Sequence, residues 1–190
     1  ITTAEGGMIT TDNDELAERC RVVRNHGTRR NDGEHQGLDY GYTCDMPSTN
    51  YRMSEFHAVL GVHQNKHLNH FLVRRNEIAD IYNQRLKDID WLQTPLIDNF
   101  IFQSWWQYIV KITDGRDRTE VLLQLLNEYN IPTANAYQPL CHQQEIYSGF
   151  LSEHGFEKSE DFITKIFSLP MYVELEDEQV NYICDCIEKL

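Results

Sequence analysis

Apolar residues recur at helical spacing along much of the chain and alternate along a short part of it. Leu16, Cys20 and Val23 share one helical face. Asp12 and Glu15 ahead of them have capping-box spacing and Gly27 supplies a stop, so a helix is predicted over about 12–27. Upstream, Ala4-Glu5-Gly6-Gly7 reads as a glycine-rich turn and Met8-Ile9-Thr10-Thr11 as a short β-like run. Residues 28–50 hold many Gly, Asn, Asp and Thr and no sustained period, which predicts a long loop of the kind that often carries function. From Ser54 the stripe Phe56, Val59, Leu60, His63 continues through Leu68, Leu72, Ala79, Tyr82 and Leu86. This predicts one long helix, or two joined end to end, over about 54–88.

The second half alternates more. Residues 91–102 have proline, Asp and Asn without period and form the best candidate for a boundary. Gln107 to Ile112 alternates as a strand. Asp117 and Glu120 cap a helix built on Val121, Leu122, Leu125, Leu126 and Tyr129, which Ile131-Pro132 ends. Helices are also predicted over 159–166 and 177–190, the latter through Val180, Ile183 and Ile187. Strands mixed with helices give an α/β or α+β arrangement. The first segment has a single strand, and a lone strand makes no sheet. That segment is therefore expected to pack on something outside this sequence or to pair with another chain, and the sequence reads as a fragment.

Composition narrows the class. A 190-residue chain with 41% hydrophobic residues can bury a real core. No apolar run approaches the roughly 20 residues of a membrane span, and the first residues lack the pattern of a signal peptide, so a cytoplasmic protein without a membrane role is expected. Five cysteines with no Cys-x-x-Cys spacing argue for buried or free thiols. A net charge of −13 disfavours nucleic acid as a partner. One basic cluster, Arg19, Arg21, Arg24, Arg29 and Arg30 around His26, reads equally as an anion-holding site or as a solvated helix face with a loop.

Certain motifs then stand in a telling order. Ile1-Thr2-Thr3-Ala4-Glu5-Gly6-Gly7-Met8 comes first, followed by Asn25-His26-Gly27. Next comes Asn50-Tyr51-Arg52-Met53-Ser54-Glu55 with Ala58, Gly61 and Gln64, then Tyr137, His142, Gln144 and Tyr147, and last Ser168-Leu169-Pro170-Met171. Over essentially its whole length the chain resembles the second half of the DegT/DnrJ-type sugar aminotransferases of fold type I. Ala4 stands where the family has a glycine, Ser48 replaces a glycine, Val59 an alanine and Asn65 a leucine, and Pro139 lies one residue early. These departures bear on substrate and subfamily.

The resemblance implies the carboxy-terminal part of a fold type I PLP-dependent transferase. Residues 1–88 would be the end of the large cofactor-binding domain with the long interdomain helix, and 89–190 a small α+β domain. It implies pyridoxal 5'-phosphate as cofactor and transfer of an amino group, with glutamate as the implied donor, to a nucleotide-linked keto sugar in polysaccharide biosynthesis. A homodimer with shared active sites would be the working form. No catalytic residue falls in this chain, because the Schiff-base lysine is expected just upstream of Ile1. Asn50 and Arg52 would bind cofactor, and His26, Tyr137 and His142 would face the sugar or its diphosphate. A plain reading of the same residues makes Asn50 a turn residue and Arg52 a surface cation.

Other readings remain open. His63, His67 and His70 have spacing that could present imidazoles to a metal, though without a carboxylate or cysteine to complete the set. A non-catalytic dimerising module that binds sugar nucleotides is a second, because Lys66 and Lys87 lie on predicted helix faces and replace no Schiff-base lysine. A related dehydratase with histidine at the lysine position is a third.

Overall fold

Asn13 starts the first helix. The computed structural model describes residues 1–30, 42–98, 101–135, 137–147 and 155–190. In it the side-chain oxygen of Asn13 accepts from the Leu16 N–H at 2.9 Å, so helix α1 runs Asp14–Arg24. The cap is thus one residue later than Asp12. The Thr11 hydroxyl accepts the Asn13 N–H at 3.1 Å, and the amide of Asn13 caps as well as a carboxylate does. The helix ends in the Asn25-His26-Gly27 turn: Gly27 N–H returns to Val22 O at 3.0 Å, with His26 at φ 61° and Gly27 at φ 71°. Only glycine fits at 27, because a Cβ there would lie 2.0 Å from the Met46 carbonyl oxygen.

The predicted β-like run over 8–11 pairs with no strand among the described residues. Met8 and Ile9 are exposed, and no described strand satisfies that backbone as a sheet would. The predicted loop instead holds a short antiparallel ribbon of β1 (Thr28–Arg30) and β2 (Tyr42–Cys44). The rest of that loop, 31–41, and the side chains of Arg29 and Arg30 from the basic cluster lie outside the described residues. Helix α2 (Glu55–Lys66) follows, with the Ser54 hydroxyl accepting from His57 N–H. His67 separates it from α3 (Leu68–Leu86), so the long apolar stripe forms two consecutive helices.

The chain divides into two compact units, Ile1–Leu68 and Asn69–Leu190. In the first, Val22 is the one large apolar side chain buried among the described residues. Helix α2 buries none: Phe56 is 89% exposed and Val59 68%. Patterning put those residues on one face correctly, but among the described residues that face is exposed.

The second unit holds the core. After α3 come β3 (Leu92–Gln93), β4 (Tyr108–Ile112), helix α4 (Arg118–Tyr129) and β5 (Ala134–Asn135). Two 3-10 turns, helix α5 (Glu157–Ile163), β6 (Ile166–Leu169) and helix α6 (Asp177–Ile187) complete it. The four strands are antiparallel in the order β3-β4-β6-β5. Tyr108, Val110 and Ile112 point into the core, as the alternation predicts. Ile78, Tyr82 and Leu86 of α3, Val121 and Leu125 of α4, and Val180, Ile183 and Ile187 of α6 pack with them. On the alternate face Lys111 lies over the Phe162 ring at 5.7 Å.

Polar groups tie this core together. The Tyr82 phenol donates to Pro170 O at 3.0 Å and that of Tyr108 to Asn83 Oδ1 at 2.6 Å, and burial raises the pKa of both well above the ordinary value, so they remain donors. Arg85 joins α3 to α6 through Asn181, Asp185 and Glu188. All five cysteines are free; Cys184 and Cys186 are buried, and burial pushes the Cys184 thiol up to about 12.

Candidate functional site

Two backbone bends, 25 residues apart, meet in the first unit. His26 N–H donates to Thr49 O at 3.1 Å, Tyr51 N–H to Arg24 O at 3.0 Å, and Asn25 and Asn50 form an antiparallel bridge. The Ser48 hydroxyl adds a bond to Val23 O at 2.7 Å. The two motifs that carry His26 and Asn50 are therefore one structural feature. Both side chains are exposed on it, and His26 is held at positive φ, a conformation histidine rarely adopts without a constraint.

Asn50 and Arg52 form a local donor set. Asn50 Oδ1 accepts from the Arg52 backbone N–H at 3.0 Å and from Arg52 Nε at 3.2 Å. This fixes the guanidinium plane by its Nε edge. The Asn50 amide nitrogen and the terminal nitrogens of Arg52 have no hydrogen-bond partner among the described residues. Exposed amide and guanidinium donors oriented together suit the oxygens of a phosphate, and a phosphate monoester is the part of pyridoxal phosphate they fit.

The opening turn sits on the same unit. Thr2 N–H donates to Gln64 Oε1 at 3.3 Å. A Cβ at Gly61 would lie 2.9 Å from Thr3 Cγ2, and one at Gly6, which is at φ 147°, 2.5 Å from Met53 Cε, so the turn lies close to α2 and to the segment just before it. Ala4 sits in the left-handed region at φ 65°, where glycine carries no steric cost. Ala4→Gly is accordingly expected to stabilise the protein by about 0.5–1 kcal/mol, the relief of left-handed strain less the added chain entropy. A rise in the urea midpoint checks it.

Tyr137 and His142 belong to the second unit. The Tyr137 ring is 74% exposed and lies nearly parallel to Trp106, with centroids 6.4 Å apart and planes 14° apart. His142 is mostly covered: Nε2 is 2.9 Å from Glu160 Oε1, and the ring stacks on Phe156 at 4.1 Å. The loop around them is pinned by Leu140 N–H to Gln143 Oε1 at 3.0 Å and Gln144 Nε2 to Pro139 O at 3.3 Å. The structure thus brings His26, Asn50 and Arg52 together in one unit and leaves Tyr137 and His142 in the other. Trp106 and Glu160 were not singled out in the sequence. A pair such as Trp105-Trp106 beside an alternating run was the available signal, since neighbouring strand residues face opposite sides.

The histidines at the end of α2 and just beyond it make a weaker cluster. The rings of His63 and His67 are 5.0 Å apart, and among the described residues no three His, Cys, Asp or Glu side chains are grouped to hold a metal.

Comparison with known proteins decides the family. The profile of the DegT/DnrJ/EryC1/StrS aminotransferase family matches residues 1–188. The chain belongs to this family. Among DegT/DnrJ/EryC1/StrS relatives, the spore coat polysaccharide biosynthesis protein SpsC of Bacillus subtilis is 28% identical over 200 residues, covering 100% of this chain and 50% of SpsC. GDP-perosamine synthase of Escherichia coli O157:H7 is 29% identical over 189 residues, covering 100% and 48%. Helicobacter pylori PseC, an aminotransferase involved in pseudoaminic acid biosynthesis, superposes with a TM-score of 0.83 at 26% identity, covering 100% of this chain and 49% of PseC. The chain therefore spans about half the length of these relatives. The expected α/β fold, as part of a DegT/DnrJ/EryC1/StrS aminotransferase, is borne out. No helix among the described residues is long and apolar enough to cross a membrane.

Proposed function

We propose that this chain is the carboxy-terminal half of a cytoplasmic, PLP-dependent aminotransferase that moves an amino group from an amino acid, glutamate as the expected donor, to a nucleotide-linked keto sugar. The observation that carries the reading is the paired Asn50–Arg52 donor set, seated on the bridge to His26 in a chain of this family. Pyridoxal phosphate, when bound, supplies an electron sink that lets a substrate α-proton leave. In this reading Asn50 and Arg52 hold phosphate oxygens, which orients the ring, and Arg52 adds a charge that a neutral donor lacks. His26, Tyr137 and His142 face the sugar and its diphosphate. His142, held by Glu160, keeps its ring in one orientation.

The partner arrangement follows from the first unit. Exposed Phe56, Val59 and Val62 on α2 suit burial against a second copy, and a homodimer with shared sites would give Asn50 a cofactor on the neighbouring subunit. Residues 1–88 would then be the end of the large domain with the interdomain helix, and 89–190 the small domain.

The test uses the polypeptide that carries this chain, expressed with pyridoxal phosphate. Borohydride is expected to fix the cofactor covalently to a lysine just before Ile1, and glutamate with a nucleotide-linked keto sugar is expected to give the amino sugar by mass spectrometry. A polypeptide with no such lysine and no cofactor band would leave a dehydratase or a binding module. Arg52→Ala is expected to weaken retention of the phosphate-bearing ligand by about 10- to 100-fold, the loss of a charge-assisted bond. Arg52→Lys should recover part of it, and equilibrium dialysis reads both.

A further inference from the structure

Trp106 has no part in the reading above, yet its placement is tightly determined. Its neighbour Trp105 is buried at φ 47°, a left-handed conformation that is unusual for a bulky residue. The Trp105 indole N–H donates to Asn76 Oδ1 at 3.1 Å, and the Arg75 guanidinium donates to the Trp105 carbonyl at 2.6 Å. Asn76 Nδ2 also donates to Gln103 O at 3.0 Å. Helix α3 thus holds the chain in a reversal that turns one tryptophan in and the next out. Trp106 is 65% exposed, and its ring lies nearly parallel to that of Tyr137, itself 74% exposed.

On the other side, Tyr137 is set by its own support. The Gln138 side-chain oxygen accepts from Arg118 Nη2 at 3.1 Å, and Arg118 also donates to the Ile163 carbonyl. Two large π faces are therefore presented to solvent, 14° from parallel with centroids 6.4 Å apart, each carried by a separately braced segment. Exposed aromatic area of this size is costly in water, and a planar ring covers it best, because stacking matches face to face what a flexible or non-planar group meets only in part.

We propose that Trp106 and Tyr137 form an aromatic platform that stacks the nucleobase of a nucleotide-linked sugar. This deepens the function proposed above and rests on it: the base would be the handle by which the small domain selects a nucleotide-linked substrate. It moves Tyr137 from the sugar to the base and adds Trp106 as a specificity residue. Stacking tolerates any base, so the platform by itself selects for the presence of a base and leaves its identity to other groups.

The test titrates the holoenzyme by calorimetry with uridine 5'-diphosphate, guanosine 5'-diphosphate, inorganic pyrophosphate and glucose 1-phosphate. Trp106→Ala and Tyr137→Ala are each expected to weaken both nucleoside diphosphates by about 5- to 100-fold and to leave pyrophosphate and glucose 1-phosphate unchanged, while Trp106→Phe stays near wild type. Three results would each overturn the platform: equal losses for pyrophosphate, losses as large for glucose 1-phosphate, or nucleoside diphosphate affinity untouched by Trp106→Ala. A fall in melting temperature without a change in affinity counts the same way, because it would make Trp106 a packing residue. Borohydride trapping on the same variants separates the two ideas. Covalent cofactor with base-independent binding sinks the platform alone; base-dependent binding lost in Trp106→Ala without any trapped cofactor sinks the aminotransferase reading alone.

Discussion

Replacing Phe167 with alanine is expected to destabilise the protein by about 3–5 kcal/mol, the range for truncating a buried phenylalanine. Phe167 has no exposed surface and lies on β6, the strand between β4 and β5. Its backbone is opposite Val110 on one side and Asn135 on the other, so both flanking strands border the cavity that truncation would leave. The α3 and α6 residues of the core cannot close that gap without moving off the sheet. Urea unfolding followed by tryptophan fluorescence should show a midpoint shift of that size, with Phe167→Leu losing much less. A loss below about 1 kcal/mol for Phe167→Ala would mean that the core around β6 is not close-packed.

Arg75→Ala is expected to cost about 2–4 kcal/mol, from charge-assisted bonds lost and carbonyls left without a donor. Arg75 Nη1 reaches three backbone carbonyls: Trp105 at 2.6 Å, Met171 at 3.1 Å and Trp106 at 3.4 Å. It therefore ties α3 to the segment before β4 and to the turn after β6. The effect exceeds that of an ordinary surface arginine because the acceptors are main-chain carbonyls and the bonds to Trp105 and Met171 are partly buried. Arg75→Lys should recover only part of the loss, since the ammonium sits on a shorter, flexible stem and lacks the rigid fork of the guanidinium. The same urea transition measures it, and a change in the near-ultraviolet signal of Trp105 would report the loosened reversal.

Much of the local structure was legible in the residues. Asp117 caps α4, accepting from Glu120 N–H at 3.0 Å, and Asn130 ends it at φ 55°. The alternation around Tyr108 to Ile112 became β4, and Val180, Ile183 and Ile187 became the buried face of α6. These are cases where neighbours in sequence settle the outcome: a cap needs a partner three residues away, and a helical face repeats every three or four. The short strands escaped. β3 and β5 have two residues each, too few for a period, and Ile166, placed in a predicted helix, belongs to β6 because Val110 and Lys111 offer its segment a partner.

The candidate site divides the same way. The motifs named His26, Asn50, Arg52, Tyr137 and His142 as residues of interest, but nothing in their order said that the His26 turn bridges to Asn50, that Asn50 aligns Arg52, or that His142 is taken up by Glu160 and Phe156. Trp106 carried no signal beyond its place in the Trp105-Trp106 pair. Its exposure follows from Arg75 and Asn76, about 30 residues earlier, holding Trp105 in a left-handed turn.

The sequence by itself determined the helices, the Asp117 cap of α4, the central strand, the family through its ordered motifs, and the apolar stripe along α2 and α3. The tertiary structure alone decided which part of that stripe is buried: Ala79, Tyr82 and Leu86 pack in the core with the sheet, whereas Phe56 and Val59 are exposed among the described residues. It also decided which distant bends meet. The physical reason is one: periodicity records which residues share a face, but burial and hydrogen bonding depend on what the rest of the chain brings to that face.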